Sequence, residues 1–166
     1  RHKPETWAPL QVAFNQSCLD SGYPETYDHN NPDSTGIGPF PMNNPDGVRM
    51  STALTYINPN RHRLNLTIRA NVQVRRILFD GQRATGVEVD SGGDRFIVES
   101  GVIVLSAGAI ASPQLLMLSG IGPESQLQSL GIPVVKNLPG VGQNLRDHPL
   151  VAVRVAVKDD FPLAPN

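Results

Sequence analysis

Residues 102–122 read VIVLSAGAIASPQLLMLSGIG, and the rest of the chain can be organised outward from them. Val102-Ile103-Val104-Leu105 is a short uninterrupted apolar run rich in β-branched side chains, the composition of a strand buried on both faces of a parallel sheet. Ser106-Ala107-Gly108 ends it with three small residues. Ser112-Pro113 then carries a helix start, a hydroxyl at the N-cap and a proline at the first helical position, where no N–H is needed. The helix predicted over 114–118 is closed by Gly120. Strand, small-residue turn and helix make a unit whose ligand side, in open α/β sheets, lies beyond the carboxyl end of the strand. Glycine and alanine there admit a close backbone approach.

Composition narrows the function classes. A net charge of −1 gives no reason to expect nucleic acid or an anionic membrane as partner. Arg61, Arg63, Arg69, Arg75 and Arg76 make the middle locally basic, which reads as a solvated strand face. Cys18 is the only cysteine, so no intramolecular disulfide and no multi-cysteine metal site can form. It falls on the apolar face of a predicted helix as a small core residue. The missing disulfide framework favours a cytoplasmic protein. No apolar run approaches the roughly eighteen residues of a membrane span, and no signal-peptide pattern is present. The chain starts Arg1-His2-Lys3 and stops at Pro165-Asn166 just after a strand-like run, so both ends read as cut.

Taken in order, the first helix places Leu10, Ala13, Phe14, Ser17 and Cys18 at i, i+3, i+4, i+7 and i+8, a stripe facing a core, and Gly22 stops it. Residues 25–48 are irregular, and a loop this long tends to be functional or disordered. Phe40 and Met42 give it side chains to bury, which favours an ordered covering segment. Residues 49–57 read as helical at first, closing on Asn58-Pro59-Asn60. Leu64 to Ile68 alternates as a strand. Asp80-Gly81 and Gly92-Gly93 between alternating runs are hairpin signals, so 72–99 is predicted as a three-stranded antiparallel meander. A short helix over 125–130 ended by Gly131, an extended piece at 132–135 and a proline-bounded loop over 138–149 follow. Residues 150–157 alternate as a strand of a different sheet.

Few residues announce chemistry. Gly140-Val141-Gly142 lacks the third glycine of a dinucleotide fingerprint and lies in a loop, not between strand and helix, so it is rejected as one. His2, His29, His62 and His148 have no metal-ligand spacing. His148 beside Asp147 suits a general base or a satisfied loop residue, and a lone loop histidine without a proton donor says little. Ser106, Ser112 and Ser119 lie in no G-x-S-x-G elbow. Glu88 and Asp90 point to one exposed strand face, and Asp159-Asp160 to a solvated turn. No catalytic residue and no metal ligand is assigned.

A resemblance adds to this. Gly108-Ala109, Ser112-Pro113, Leu115-Leu116 and Ser119-Gly120-Ile121-Gly122 match every specified position of a signature of the glucose–methanol–choline (GMC) flavoprotein oxidoreductases. Gly47-Val48-Arg49-Met50-Ser51 with Tyr56 is similar to the family's G-x-R-x-S…Y segment, and Arg63 to Ile68 to its R-x-N-L-T-[VI] segment. Gly86-Val87-Glu88 resembles its G-V-E, and Pro139 to Pro149 its P-G-V-G-x-N-L-x-D-H-P loop. Five pieces stand in the family's order.

The resemblance implies a mixed α/β (α+β) fold: part of a Rossmann-like FAD-binding domain with an antiparallel β-meander, and part of an antiparallel-sheet substrate domain. Residues 1–60 would be a substrate-side covering segment, 61–148 the FAD-binding segment and 149–166 the start of the substrate-domain sheet. It implies FAD as cofactor, with Val72 contacting the adenine through its backbone and Ser106, Ala107 and Gly108 bordering the adenosine half. Val72 is equally readable as an ordinary strand residue. The implied reaction is oxidation of a small-molecule alcohol, as in choline dehydrogenases and oxidases. The family's N-terminal FAD fingerprint and C-terminal catalytic histidine match nothing in the chain. It therefore reads as a central fragment, inactive alone, whose catalytic residues lie outside it. Two alternatives stand beside this: the same fold with lyase or decarboxylase chemistry, or a scaffold module without catalysis. Substrate, electron acceptor and oligomeric state are not legible.

Overall fold

The computed structural model describes residues 4–149 together with Val151 and Ala156. The strand expected over 150–157, and with it the substrate-domain sheet expected from 149 onward, falls outside the described residues apart from those isolated positions. Two compact units are present, one comprising the residues up to Leu66 and the other Thr67–Val151.

In the N-terminal unit, a 3₁₀ turn at Pro4–Thr6 precedes helix α1, Pro9–Asp20. Pro9 occupies the first helical position as its missing N–H requires. Ala8 stands at the N-cap with no capping side chain of its own, and Gln11 Oε1 accepts its backbone N–H at 2.8 Å instead. The helix ends where predicted, with Tyr23 N–H donating to the Cys18 carbonyl at 3.1 Å. Its apolar stripe is not buried, however. Leu10 and Cys18 are half-covered and Phe14 is exposed, which corrects both the core-facing stripe and the core role expected for Cys18. The segment that does meet α1, Ile37 to Phe40, lies against a neighbouring face containing Trp7, Gln11, Phe14 and Asn15 and leaves a cavity of about 230 Å³.

The long irregular segment is ordered by local hydrogen bonds. Thr26, buried, donates its N–H to the Ile37 carbonyl (2.9 Å), and its hydroxyl meets that of Ser34 at 2.7 Å. Asn43 and Met50 exchange bonds across the following loop, at 2.9 Å backbone to backbone and 2.6 Å from Asn43 Nδ2. Phe40 and Met42 remain exposed, against expectation, because the ordering comes from polar groups and not from burial. The helix expected over 49–57 is a widened π turn, Ala53–Ile57, that runs on into α2, Asn58–Asn60. The run closes at Asn60, within the predicted Asn58-Pro59-Asn60, with Pro59 in the first turn of α2 where its missing N–H is tolerated. The strand expected at 64–68 does not form. Alternation supplies two faces but not a partner, and no ladder reaches these residues among those described.

The second unit is built on the predicted meander. Strands β1 (Gln73–Asp80), β2 (Arg83–Ser91) and β3 (Asp94–Glu99) pair antiparallel in the order β1-β2-β3. The turns fall at Gly81-Gln82 and Gly92-Gly93, between the closing pairs Asp80↔Arg83 and Ser91↔Asp94. Irregularities between Val74 and Arg76 and between Leu78 and Phe79 break the β1–β2 register and increase local twist. Arg76 stands opposite Glu88 and bonds it at 2.6 Å, and Arg95 stands opposite Asp90 at 3.6 Å. Glu88 and Asp90 are thus members of cross-strand ion pairs, not a merely solvated acidic face. Ile77 and Val89 are buried from the sheet side.

Residues 102–106 join no ladder among the described residues; Val102 and Val104 are 80% and 83% exposed, while Ile103 and Leu105 are half-buried. The parallel strand expected here has its apolar composition but no strand partner among the described residues. Helix α3, Gly108–Leu118, then begins five residues earlier than the Ser112 N-cap predicted. Gly108 takes φ +88°, a left-handed conformation at the first residue of the helix that glycine adopts freely. Ala107 is the N-cap, and Ser112 Oγ accepts its N–H at 3.0 Å from within the helix. Ser112 therefore still serves the helix start, but not as the N-cap, and Pro113 lies inside the helix.

Beyond α3, strand β4 (Ile121–Gly122) pairs in parallel with β5 (Lys136–Asn137) around helix α4, Glu124–Ser129. Asn137 Oδ1 accepts the Glu124 N–H at 3.2 Å, and Leu127 is completely buried. The extended piece expected at 132–135 forms its ladder only at 136–137. The following loop turns through Val141 N–H to Leu138 O (3.1 Å) and Gln143 N–H to Gly140 O (3.2 Å). Among the described residues no helix is long and apolar enough to cross a membrane.

Candidate functional site

The meander carries an apolar face. Val74, Val89 and Phe96 stand in register across the three strands, and Val87 pairs with Val98 on the same side. Residues 67–72 lead into β1, bending at Asn71, and supply a wall through Thr67, Arg69 and Val72. Between wall and floor lies a cleft of about 730 Å³ lined by Thr67, Arg69, Val72, Val74, Phe96 and Val98, among others. Its size falls within the range of small-molecule sites. The Arg69 guanidinium lies 5.3 Å from the centroid of the Phe96 ring, so a cation and an aromatic ring share one side of it.

Val72 is placed there by the residue before it. Asn71 adopts φ +55°, a left-handed conformation that asparagine tolerates better than most side chains. Ser91 Oγ fixes that bend by donating to the Asn71 carbonyl at 3.3 Å. The ladder begins only at Gln73↔Asp90, which leaves Val72 just outside it at the cleft wall. Val72 is half-buried.

Ser106, Ala107 and Gly108 are exposed at the junction between the apolar run and α3. A side chain at Gly108 would meet nothing within 4 Å, so glycine is needed there for its backbone angle while the space beside it stays open. These three residues do not line the cleft that holds Val72. The turn leads instead to the α3 face formed by Ala109, Ile110, Pro113 and Met117, which with residues 142–146 encloses a second cavity of about 720 Å³.

One residue of the site was not found by sequence reasoning. Ser119 is buried, and its hydroxyl does two things: it donates to the Leu115 carbonyl at 2.6 Å and accepts the Ile77 N–H at 2.8 Å. β1 is an edge strand, and this bond satisfies one outward N–H of that edge. Nothing in the local pattern of a serine after a helix marks such a role. Asp147 and His148 form no catalytic pair: both side chains are fully exposed, with His148 Nδ1 4.0 Å from the carboxylate, and the closer bond is from the His148 backbone N–H at 2.7 Å.

The chain matches the GMC oxidoreductase family model over residues 1–150. It is 49% identical over 141 residues to the mitochondrial choline dehydrogenase of Homo sapiens, covering 84% of this chain and 24% of that protein. It is 46% identical over 144 residues to an uncharacterised GMC-type oxidoreductase of Rhodococcus erythropolis, covering 86% and 29%. Among solved structures, an FAD-dependent oxidoreductase from Chaetomium thermophilum superposes with a TM-score of 0.80 at 32% identity, covering 87% of this chain and 26% of that one. Pyridoxine 4-oxidase from Mesorbium loti gives 0.77 at 34% identity, covering 82% and 27%. The chain thus spans under a third of the length of these relatives.

Proposed function

This chain belongs to the GMC oxidoreductase family, and from that premise we propose that it is the central segment of an FAD-dependent oxidoreductase acting on the CH–OH group of a small alcohol of the choline kind. Its own contribution is the adenosine end of the cofactor site. The observation that carries this is the cleft beside Val72. It has an apolar floor for a flat ring, a wall whose backbone leaves the ladder at Val72, and a volume of about 730 Å³ that accommodates a nucleoside. Ser106, Ala107 and Gly108 fit the same cofactor differently, as an exposed turn with only small side chains beside a sugar or phosphate.

Bound FAD supplies the two-electron acceptor. The residues of this chain bind and orient it: Val72 presents main-chain groups, Phe96 and Val74 exclude water from the ring, and the small turn lets the ribose approach. Residues 61–148 are the FAD-binding segment and 1–60 the substrate-side cover. The chemistry of proton removal belongs to residues outside the chain, and the segment alone does not turn over alcohol.

The test is Ala107→Phe in the intact protein. Ala107 is an exposed N-cap, so the ring leaves the helix intact but fills the turn. Calorimetric titration of the apoprotein with FAD is expected to show at least about ten-fold weaker binding. Equal affinity in the variant would remove the turn from the site. Anaerobic mixing of the reconstituted wild-type protein with choline or a simple alcohol is expected to bleach the flavin, and a flavin left oxidised by every alcohol would favour the lyase alternative.

A further inference from the structure

We infer that Ser119 is a positioning residue for the cofactor: its buried hydroxyl locks the helix that follows the Ser106-Ala107-Gly108 turn to the strand that follows Val72. The inference rests on the adenosine assignment above, but the observations behind it are separate. Two rigid elements meet at one side-chain oxygen. From Ile77 the strand runs back five residues to Val72, about 17 Å at the usual rise. From Ser119 the helix runs back eleven residues to Gly108, also about 17 Å. Neither end is held to the other by a shared cavity.

The junction is specific to a hydroxyl. Ser119 Oγ must donate to the Leu115 carbonyl (2.6 Å) and accept from the Ile77 N–H (2.8 Å) at once, and it is buried from water that could replace it. An alanine leaves the Ile77 N–H without its partner. The helix end is free to rotate only as far as packing allows, yet arms of about 17 Å turn a few degrees at the junction into about 1 Å at their tips. Displacements of that size matter in a site that must grip one ligand at two places. Loss of Ser119 is therefore expected to weaken what spans both tips more than what touches neither.

The experiment compares apoprotein affinity for FAD with affinity for FMN, which lacks the adenosine half, in the intact protein. The variants are Ser119→Ala, the near-isosteric Ser119→Cys, and Leu127→Ala as a control that loosens the same unit away from the junction. Each is measured at a temperature where circular dichroism shows it folded. Ser119→Ala is expected to lose about ten-fold in FAD-over-FMN preference, Ser119→Cys to fall between it and wild type, and Leu127→Ala to keep the wild-type ratio. An unchanged ratio in Ser119→Ala, or an equal loss in Leu127→Ala, overturns the proposal. If Ala107→Phe still discriminates against FAD in that case, the adenosine assignment survives. If it does not, both are lost together.

Discussion

Gly120 is a position where a single methyl group should be costly. Its φ of +84° lies in the left-handed region, and a Cβ built there would stand 2.4 Å from the Pro133 carbonyl oxygen and 3.0 Å from Val135 Cγ2. Gly131 makes the matched control, with φ +67° and nothing within 4 Å of the same point. Alanine at either site pays the left-handed strain of roughly 1–2 kcal/mol, partly offset by about 0.4–1 kcal/mol from a less free unfolded chain. Gly131→Ala should therefore cost about 1 kcal/mol. At Gly120 the opposing carbonyl must also retreat about 1 Å to reach ordinary contact distance. The retreat drags on the segment whose Val135 and Lys136 N–H groups donate to the Gly120 carbonyl at 2.8 and 3.1 Å. Straining two such bonds adds about 1–3 kcal/mol, so Gly120→Ala should cost about 2 kcal/mol more than its control. Hydrogen exchange at Val135 and Lys136 reads this directly, as roughly thirty-fold faster opening in the one variant than in the other. Equal exchange in the two variants would mean that the close approach of Gly120 to Pro133 does not exist in the protein.

Leu127, the fully buried residue of α4, should cost about 2–5 kcal/mol on replacement by alanine, against under about 0.5 kcal/mol for the exposed Leu130, both measured by denaturant unfolding. The Arg76–Glu88 pair is short, but its arginine is more than half exposed, so a double-mutant cycle should return a coupling below about 1 kcal/mol that shrinks as salt is added. A coupling of several kcal/mol would show the pair to be far better shielded from solvent than its geometry indicates.

What the sequence could decide by itself was local. The meander was legible because Gly81 and Gly92-Gly93 stand between runs of period two, and those signals need only a few neighbouring residues. The ends of α1 and α4 were legible for the same reason, since Gly22 and Gly131 punctuate helices from two residues past their ends. The GMC signature likewise identified the family from fifteen consecutive positions, and the family model and relatives bear that out.

Where a feature depended on a distant partner, local pattern misled. Residues 64–68 and 102–105 have strand composition, yet a strand exists only when a neighbour accepts its hydrogen bonds, and none does among the described residues. The stripe on α1 was likewise drawn from spacing, while burial depends on what packs against it. Ser112 looked like an N-cap because the cap pattern ignores a glycine four residues earlier, and only the left-handed φ of Gly108 revealed the true start. Ser119 is the sharpest case. Its bond to Ile77 crosses 42 residues, so nothing at either position could announce it. Tertiary structure alone brought that hydroxyl to the open edge of β1, because an unpaired strand edge and a helix end each left a polar group that burial required the other to satisfy.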